Sequence, residues 1–142
     1  MSIESVVADA NVLLSAVAGK AALRVLTDYL VDVHMTRFNF DEIVEYIPEM
    51  ARKYRLSGEF LELQLKLLPI RVHEFGAYEH AYESALRDLA PRDPEDAHAL
   101  ALARHLGVPL WSNDRDLDGL DVQCFTTARL LSALARERDA SE

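Results

Sequence analysis

The sequence predicts an α/β fold: a largely parallel sheet of four to five strands with helices on both faces. Three observations predict it. Short β-branched or apolar runs alternate with helix-period segments along the chain, the signature of a parallel sheet covered on both sides. Half of the 142 residues are hydrophobic, enough to bury a sizeable core within one domain spanning residues 1–142. Internal repeats, low-complexity tracts and linker-like runs of Gly, Ser and Pro are missing, so nothing divides the chain.

The elements follow in order. Ile3-Glu4-Ser5-Val6-Val7-Ala8 reads as a strand ending at Asp9. A helical segment follows, with Leu23, Leu26 and Leu30 on one face and Ala22, Val25 and Tyr29 beside them. Val31 to Met35 alternates as a second strand, ending at Thr36. From Phe40, the spacing of Ile43, Val44, Ile47 and Met50 is helical, with Pro48 expected to kink the helix or start a new one. Ser57-Gly58 breaks the pattern, and Glu59 to Leu68 forms a further amphipathic helix. Pro69 to His73 is a weak third strand, and Ala77 to Ala90 is helical.

The clearest helix start lies at Asp93, a good N-cap, followed by Pro94 at the first helical position and by Glu95 and Asp96 near the positive end of the dipole. Ala97, Leu100, Ala101 and Arg104 carry that helix to Gly107, a C-terminal stop. Pro109 to Ser112 and Val122 to Phe125 are short strands, and Thr127 to Arg138 is the last helix.

Charge narrows the function. The formal net charge of −9 argues against a protein that grips nucleic acid through a generally basic surface. A single cysteine, Cys124, excludes an internal disulfide framework and a Cys-based zinc cage, and suits a reduced, cytoplasmic setting. The apolar stretch Ala10 to Gly19 falls far short of the roughly 20 residues of a membrane span, and it lacks a basic leader.

In open parallel sheets, sites form beyond the carboxyl ends of strands, where strand order reverses. Acids stand at those places. Asp9 follows the first strand, Asp114 follows the fourth in Ser112-Asn113-Asp114-Arg115-Asp116, and Asp96 lies early in a helix running back toward the same edge. Taken singly, each has an ordinary role: a cap, a polar turn, a dipole-favouring carboxylate. Taken together they are costly, because two carboxylates ~5 Å apart repel by ~3 kcal/mol at an effective dielectric near 20. Arg92 and Arg115 are too few to offset such a group. All-oxygen ligands without a Cys or paired-His motif favour Mg²⁺ or Mn²⁺ over zinc, and such ions suit phosphodiester hydrolysis by a bound water.

These segments resemble the PIN-domain ribonucleases, many of which are VapC-type toxins paired with an antitoxin. The resemblance is carried by Val6-Val7-Ala8-Asp9-Ala10-Asn11, by an acid early in the third helical region, by Arg92-Asp93-Pro94-Glu95-Asp96 leading into Ala99 to Ala103, and by Trp111 to Leu117. It runs from about Ile3 to Phe125. It implies a three-layer α/β/α fold and a Mg²⁺- or Mn²⁺-dependent endoribonuclease with an acidic quartet. By position, Asp9 matches the first acid, Asp96 the third and Asp114 the fourth, while Asp116 matches an auxiliary acid. Family members place a Glu about two helical turns beyond the second strand; Glu42 fits that spacing better than Glu45. Asp93 resembles a further acid, although its capping role suits it better. The implied partners are an RNA substrate and an antitoxin, and homo-oligomers are common in the family.

Other chemistries are less well supported. His34, His73, His80, His98 and His105 form no His-x-x-x-His pair and are expected in structural or surface roles. Cys124 reads as strand filler. Neither a Gly-x-Ser-x-Gly elbow nor a Gly-rich phosphate loop is present. Arg52, Lys53 and Arg55 read as a solvated helix end, whereas Arg37, Arg92 and Arg115 lie nearer the candidate acids and could touch phosphates. Phe38, Phe40, Tyr46, Tyr54 and Phe60 could line a groove for a partner helix, but core packing is expected of most. An aspartyl-phosphate enzyme would want Asp-x-Asp after the first strand, where this chain has Asp9-Ala10-Asn11. A receiver domain would want an acceptor Asp after the third strand, where it has His73-Glu74-Phe75. A catalytically weak relative that binds RNA or metal is the nearest alternative.

Overall fold

A computed structural model describes residues 2–89, 94–114, 117 and 120–141. Five strands form one sheet in the order β3-β2-β1-β4-β5: β1 (Ser5–Ala8), β2 (Asp32–Thr36), β3 (Ile70–His73), β4 (Leu110–Trp111) and β5 (Cys124–Phe125). Every neighbouring pair is parallel. The helices are α1 (Ala10–Val17), α2 (Ala21–Asp28), α3 (Arg37–Tyr54), α4 (Gly58–Leu67), α5 (Phe75–Leu89), α6 (Ala97–Leu106) and α7 (Thr127–Ser141).

Strand alternation divides the core in two, because successive side chains leave a strand on opposite faces. Val6 and Ala8 of β1 join Val33, Met35, Trp111 and Phe125 beneath α1, α2, α3, α4 and α7. Val7 points the other way, with Leu110, onto Leu100, Leu102, Tyr78 and Leu89 of α5 and α6. This is the expected three-layer α/β/α sandwich. Chain order reverses between β1 and β4, whose register pairs Ala8 with Trp111. The crevice above that reversal therefore opens at Asp9 and Ser112.

Three local expectations are corrected. The segment after β1 is two helices, not one. Gly19 turns the chain at φ 80°, a left-handed conformation that glycine adopts without Cβ strain, and its N–H bonds the Ala16 carbonyl at 3.0 Å. α2 then ends at Asp28, so Leu30 falls beyond it and is fully exposed; Ala22, Val25 and Leu26 are the residues it buries. Of the two outcomes expected at Pro48, a new helix does not start: α3 runs through it. The N–H that proline lacks would have served Val44, and both residues lie on the exposed side, where water can serve that carbonyl instead. Before α6, Pro94–Asp96 forms a 3₁₀ turn rather than the start of the α-helix, and Asp96 occupies that helix's N-cap position. Asp93 itself lies outside the described residues. Gly107 ends α6 at φ 68°, as its position in the sequence suggests. Among the described residues, no single helix is long and apolar enough to cross a membrane.

Candidate active site

Asp9 sits at the centre. Its backbone N–H bonds the Trp111 carbonyl at 3.2 Å, tying the end of β1 to the end of β4. Its extended backbone (φ −83°, ψ 173°) makes it the N-cap of α1, and Oδ1 accepts from the Val12 N–H at 3.0 Å. Oδ2 accepts a short hydrogen bond from the Ser112 hydroxyl, across 103 positions of sequence. The same Ser112 Oγ accepts the Asp114 N–H at 3.1 Å. Ser112 is held in turn by its own N–H on the Phe125 carbonyl at 2.9 Å, and Asn113 Oδ1 caps α7 by accepting the Thr127 N–H at 2.8 Å.

Asp9 is only 6% exposed, and burial pushes its carboxyl above the ordinary range. The hydrogen bonds from Ser112 and Val12 pull it back, and the Asp114 charge raises it further. The sequence thus folds a carboxylate into a place where its charge is disfavoured.

Glu42 arrives from α3. Thr36 caps that helix by accepting the Asn39 N–H at 3.0 Å while its hydroxyl donates to Asn39 Oδ1 at 2.8 Å. Ile43, Ile47 and Met50 bury the opposite face, leaving half-buried Glu42 at the rim. Asp96 arrives from the 3₁₀ turn before α6. Asp9, Glu42 and Asp96 line one cavity of about 300 Å³, together with Asn11, Asn39 and Glu95. Glu45 does not reach it; that residue lines an adjoining cavity with Phe38 and Asp41. Asp114 is not part of the lining and acts on Asp9 through its charge and through Ser112. Asp116, Arg92 and Arg115 lie outside the described residues.

The acids share a cavity but are more loosely gathered than the sequence suggested. Among the described residues, three or more His, Cys, Asp or Glu side chains are not already grouped closely enough to hold a metal ion. The donor chemistry nevertheless fits a hard divalent cation: carboxylate and amide oxygens from three parts of the chain, one of the carboxylates desolvated.

Sequence reasoning passed over Ser112, Asn39 and Glu95. Ser112 was within reach of the strand-end rule that selected Asp9, and Thr36-x-x-Asn39 is a capping pattern. The histidines pair with one another or with aromatic rings: His34 Nδ1 with His73 Nε2 at 2.9 Å, His105 with His80 at 3.3 Å, and His98 with the Tyr78 hydroxyl at 2.7 Å. Burial holds His34, His73 and His98 below the ordinary imidazole value. Arg37 pairs with Glu74 at 3.1 Å and lies over the Phe40 ring. Core packing fails for Phe38, Tyr46 and Phe60, which stay exposed because α3 and α4 turn these positions away from Ile43, Ile47, Leu61 and Leu65. Phe40 and Tyr54 do pack against the core.

Comparison with known proteins agrees with this architecture. A toxin–antitoxin complex from Klebsiella pneumoniae contains a chain that superposes with a TM-score of 0.64 at 18% identity, covering 86% of this chain and 97% of its own. PAE2754 from Pyrobaculum aerophilum superposes at 0.63 with 19% identity, covering 96% and 98%. VapC20 of Mycobacterium tuberculosis, a toxin that cleaves the sarcin–ricin loop, superposes at 0.56 with 18% identity, covering 83% and 98%. No curated protein sequence matches the chain. The model of the PIN domain matches residues 7–135, nearly the whole sequence, and the chain therefore belongs to the PIN-domain family.

Proposed function

We propose that the protein is a metal-dependent endoribonuclease, the toxin of a toxin–antitoxin pair. One observation carries the reading: Asp9, Glu42 and Asp96, far apart in sequence, open onto one cavity at the strand reversal, with Asp114 beside Asp9. Asp9, Glu42 and Asp96 would hold Mg²⁺ or Mn²⁺ in the cavity, and Asp114 would complete the acidic quartet from beside Asp9. Asp116 is the auxiliary acid that the family resemblance adds. The bound cation would supply charge neutralisation at the phosphate and a water of lowered pKa.

The residues of the chain supply position. Ser112 and the Val12 N–H fix both oxygens of Asp9, so this carboxylate is oriented before any ligand arrives. Thr36 and Asn39 fix the first turn of α3 and with it the approach of Glu42. The toxin part of the proposal draws on the structural relatives, two of which are described as toxin–antitoxin or toxin structures. An antitoxin with basic groups would complement the net charge of −9.

The test is RNA cleavage by the purified protein with Mn²⁺ or Mg²⁺, with Asp9→Asn alongside. Wild type should cut and Asp9→Asn should lose at least about a hundredfold in rate. Equal cleavage by the two proteins would expose a contaminating nuclease and end the proposal. A second reading, a relative that binds metal or RNA without cutting, draws on the loose spacing of the described acids. It expects Mn²⁺ to raise the melting temperature while RNA stays intact.

A further inference from the structure

A second cavity, of about 550 Å³, adjoins the acidic one and shares Glu42, Tyr46 and Glu95 with it. Phe38, Asp41 and Glu45 belong to the second cavity alone. Phe38 is 37% exposed, yet its ring is not loose: it stacks on His98 with centroids 4.0 Å apart and planes 9° from parallel. His98 is half-buried and held by the Tyr78 hydroxyl at 2.7 Å, with Tyr82 and Phe75 tilted around it. One face of Phe38 is thus backed by a fixed ring, and the residue fronts a cavity continuous with the candidate active site.

A flat ring braced on one side offers a stacking surface for an unpaired base, the usual mode of single-strand recognition. The acids beside it turn away phosphate but not a base, and a carboxylate can only accept hydrogen bonds. Guanine alone among the four bases presents adjacent N1–H and N2–H donors to a carboxylate. We propose that Phe38 is the platform on which an unpaired guanine of the substrate stacks beside the scissile phosphate, with Asp41 and Glu45 accepting from its N–H edge. The proposal rests on the ribonuclease reading above and names the substrate feature that this site selects.

The experiment uses the full chain and a uridine-rich single-stranded RNA carrying one guanine, with inosine or 2-aminopurine in its place in parallel strands. Fluorescence anisotropy should show Phe38→Leu binding about tenfold more weakly and Phe38→Tyr restoring the affinity. Inosine should cost about fivefold on wild type and nothing on the Asp41→Asn, Glu45→Gln double variant. The emission of 2-aminopurine should be quenched by wild type and Phe38→Tyr but not by Phe38→Leu, and matched thermal unfolding would show that all the variants fold. Unchanged affinity in Phe38→Leu, while Asp9→Asn abolishes cleavage, overturns the platform and leaves the ribonuclease standing. Phe38-dependent binding of an RNA that is never cut keeps the platform and removes the ribonuclease. Failure of wild type to bind any of these strands overturns the platform, as does a Phe38→Leu defect confined to an arginine-rich peptide, which would assign this face to a protein partner.

Discussion

Two groups of carboxylates sit on this protein, and the fold treats them oppositely. On the α5–α6 side, Asp88 and Asp121 converge on Arg104, whose Nη2 donates to each at 2.6 Å. That guanidinium is 16% exposed, and despite burial its hydrogen bonds to the two carboxylates keep its pKa above the ordinary arginine value. At the strand reversal, Asp9 is more deeply buried than either of those acids, yet the donors that hold it are neutral: the Val12 and Asn11 amides and the Ser112 hydroxyl. The first group supplies its own counter-charge and serves stability. The second retains an unfavourable charge, the arrangement expected where a ligand must bring the positive partner.

Substitutions should separate the two. The largest effect belongs to Asp9→Asn, which should lose activity as stated above while making the metal-free protein more stable by ~1 kcal/mol, or roughly 3–5 °C. The amide keeps the cap on α1 but carries no charge to desolvate. Thermal unfolding in a chelator would check this, and a lower melting temperature would show that Asp9 is a structural acid like Asp88.

Ser112→Ala comes next. Removing the hydroxyl leaves Asp9 Oδ2 without its donor, at a cost of about 1–3 kcal/mol, and should weaken Mn²⁺ affinity about tenfold. Calorimetric titration of the metal would measure the second effect. Arg104→Met should cost about 1–2 kcal/mol, held down by the solvent exposure of Asp88 and Asp121, and should leave RNA cleavage unchanged. A loss of activity there would join the two regions that the structure separates.

The smallest effect is a pH dependence. The folded chain keeps a proton on Asp9 above pH 3.8, where the unfolded chain has released it. This contribution to stability is therefore full below pH 3.8 and is lost as pH rises through the elevated value. The melting temperature of Asp9→Asn relative to wild type should accordingly grow across that window. A constant difference would mean that Asp9 titrates normally.

Much of this was legible in the sequence, and the gaps have physical causes. Asp9 and Asp114 could be picked out because strand ends are local patterns, and Asp96 because a helix start is one; the structure brings Asp9 and Asp96 to one cavity and leaves Asp114 outside its lining. Glu42 was reached only through the family resemblance, whose Glu lies about two helical turns beyond the second strand, and the structure brings it rather than Glu45 to the cavity of Asp9. Ser112 could not be assigned its role, because its bond to Asp9 depends on the β1–β4 register, which no local pattern encodes. Leu30 misled because helical periodicity continues in the letters after the hydrogen bonding has stopped at Asp28. Phe38 misled because hydrophobicity alone does not tell a core ring from one held at the surface by a partner such as His98.

The sheet order has a consequence for the chain as it is made. β1 lies in the middle of the sheet, but its neighbour β4 is separated from it by about a hundred residues. A polypeptide ending after β3 owns Asp9 and Glu42 yet lacks Asp96 and Ser112, so half of the constellation has no counterpart. An unfinished copy emerging from the ribosome therefore lacks a complete site until its final third is inserted beside its first strand.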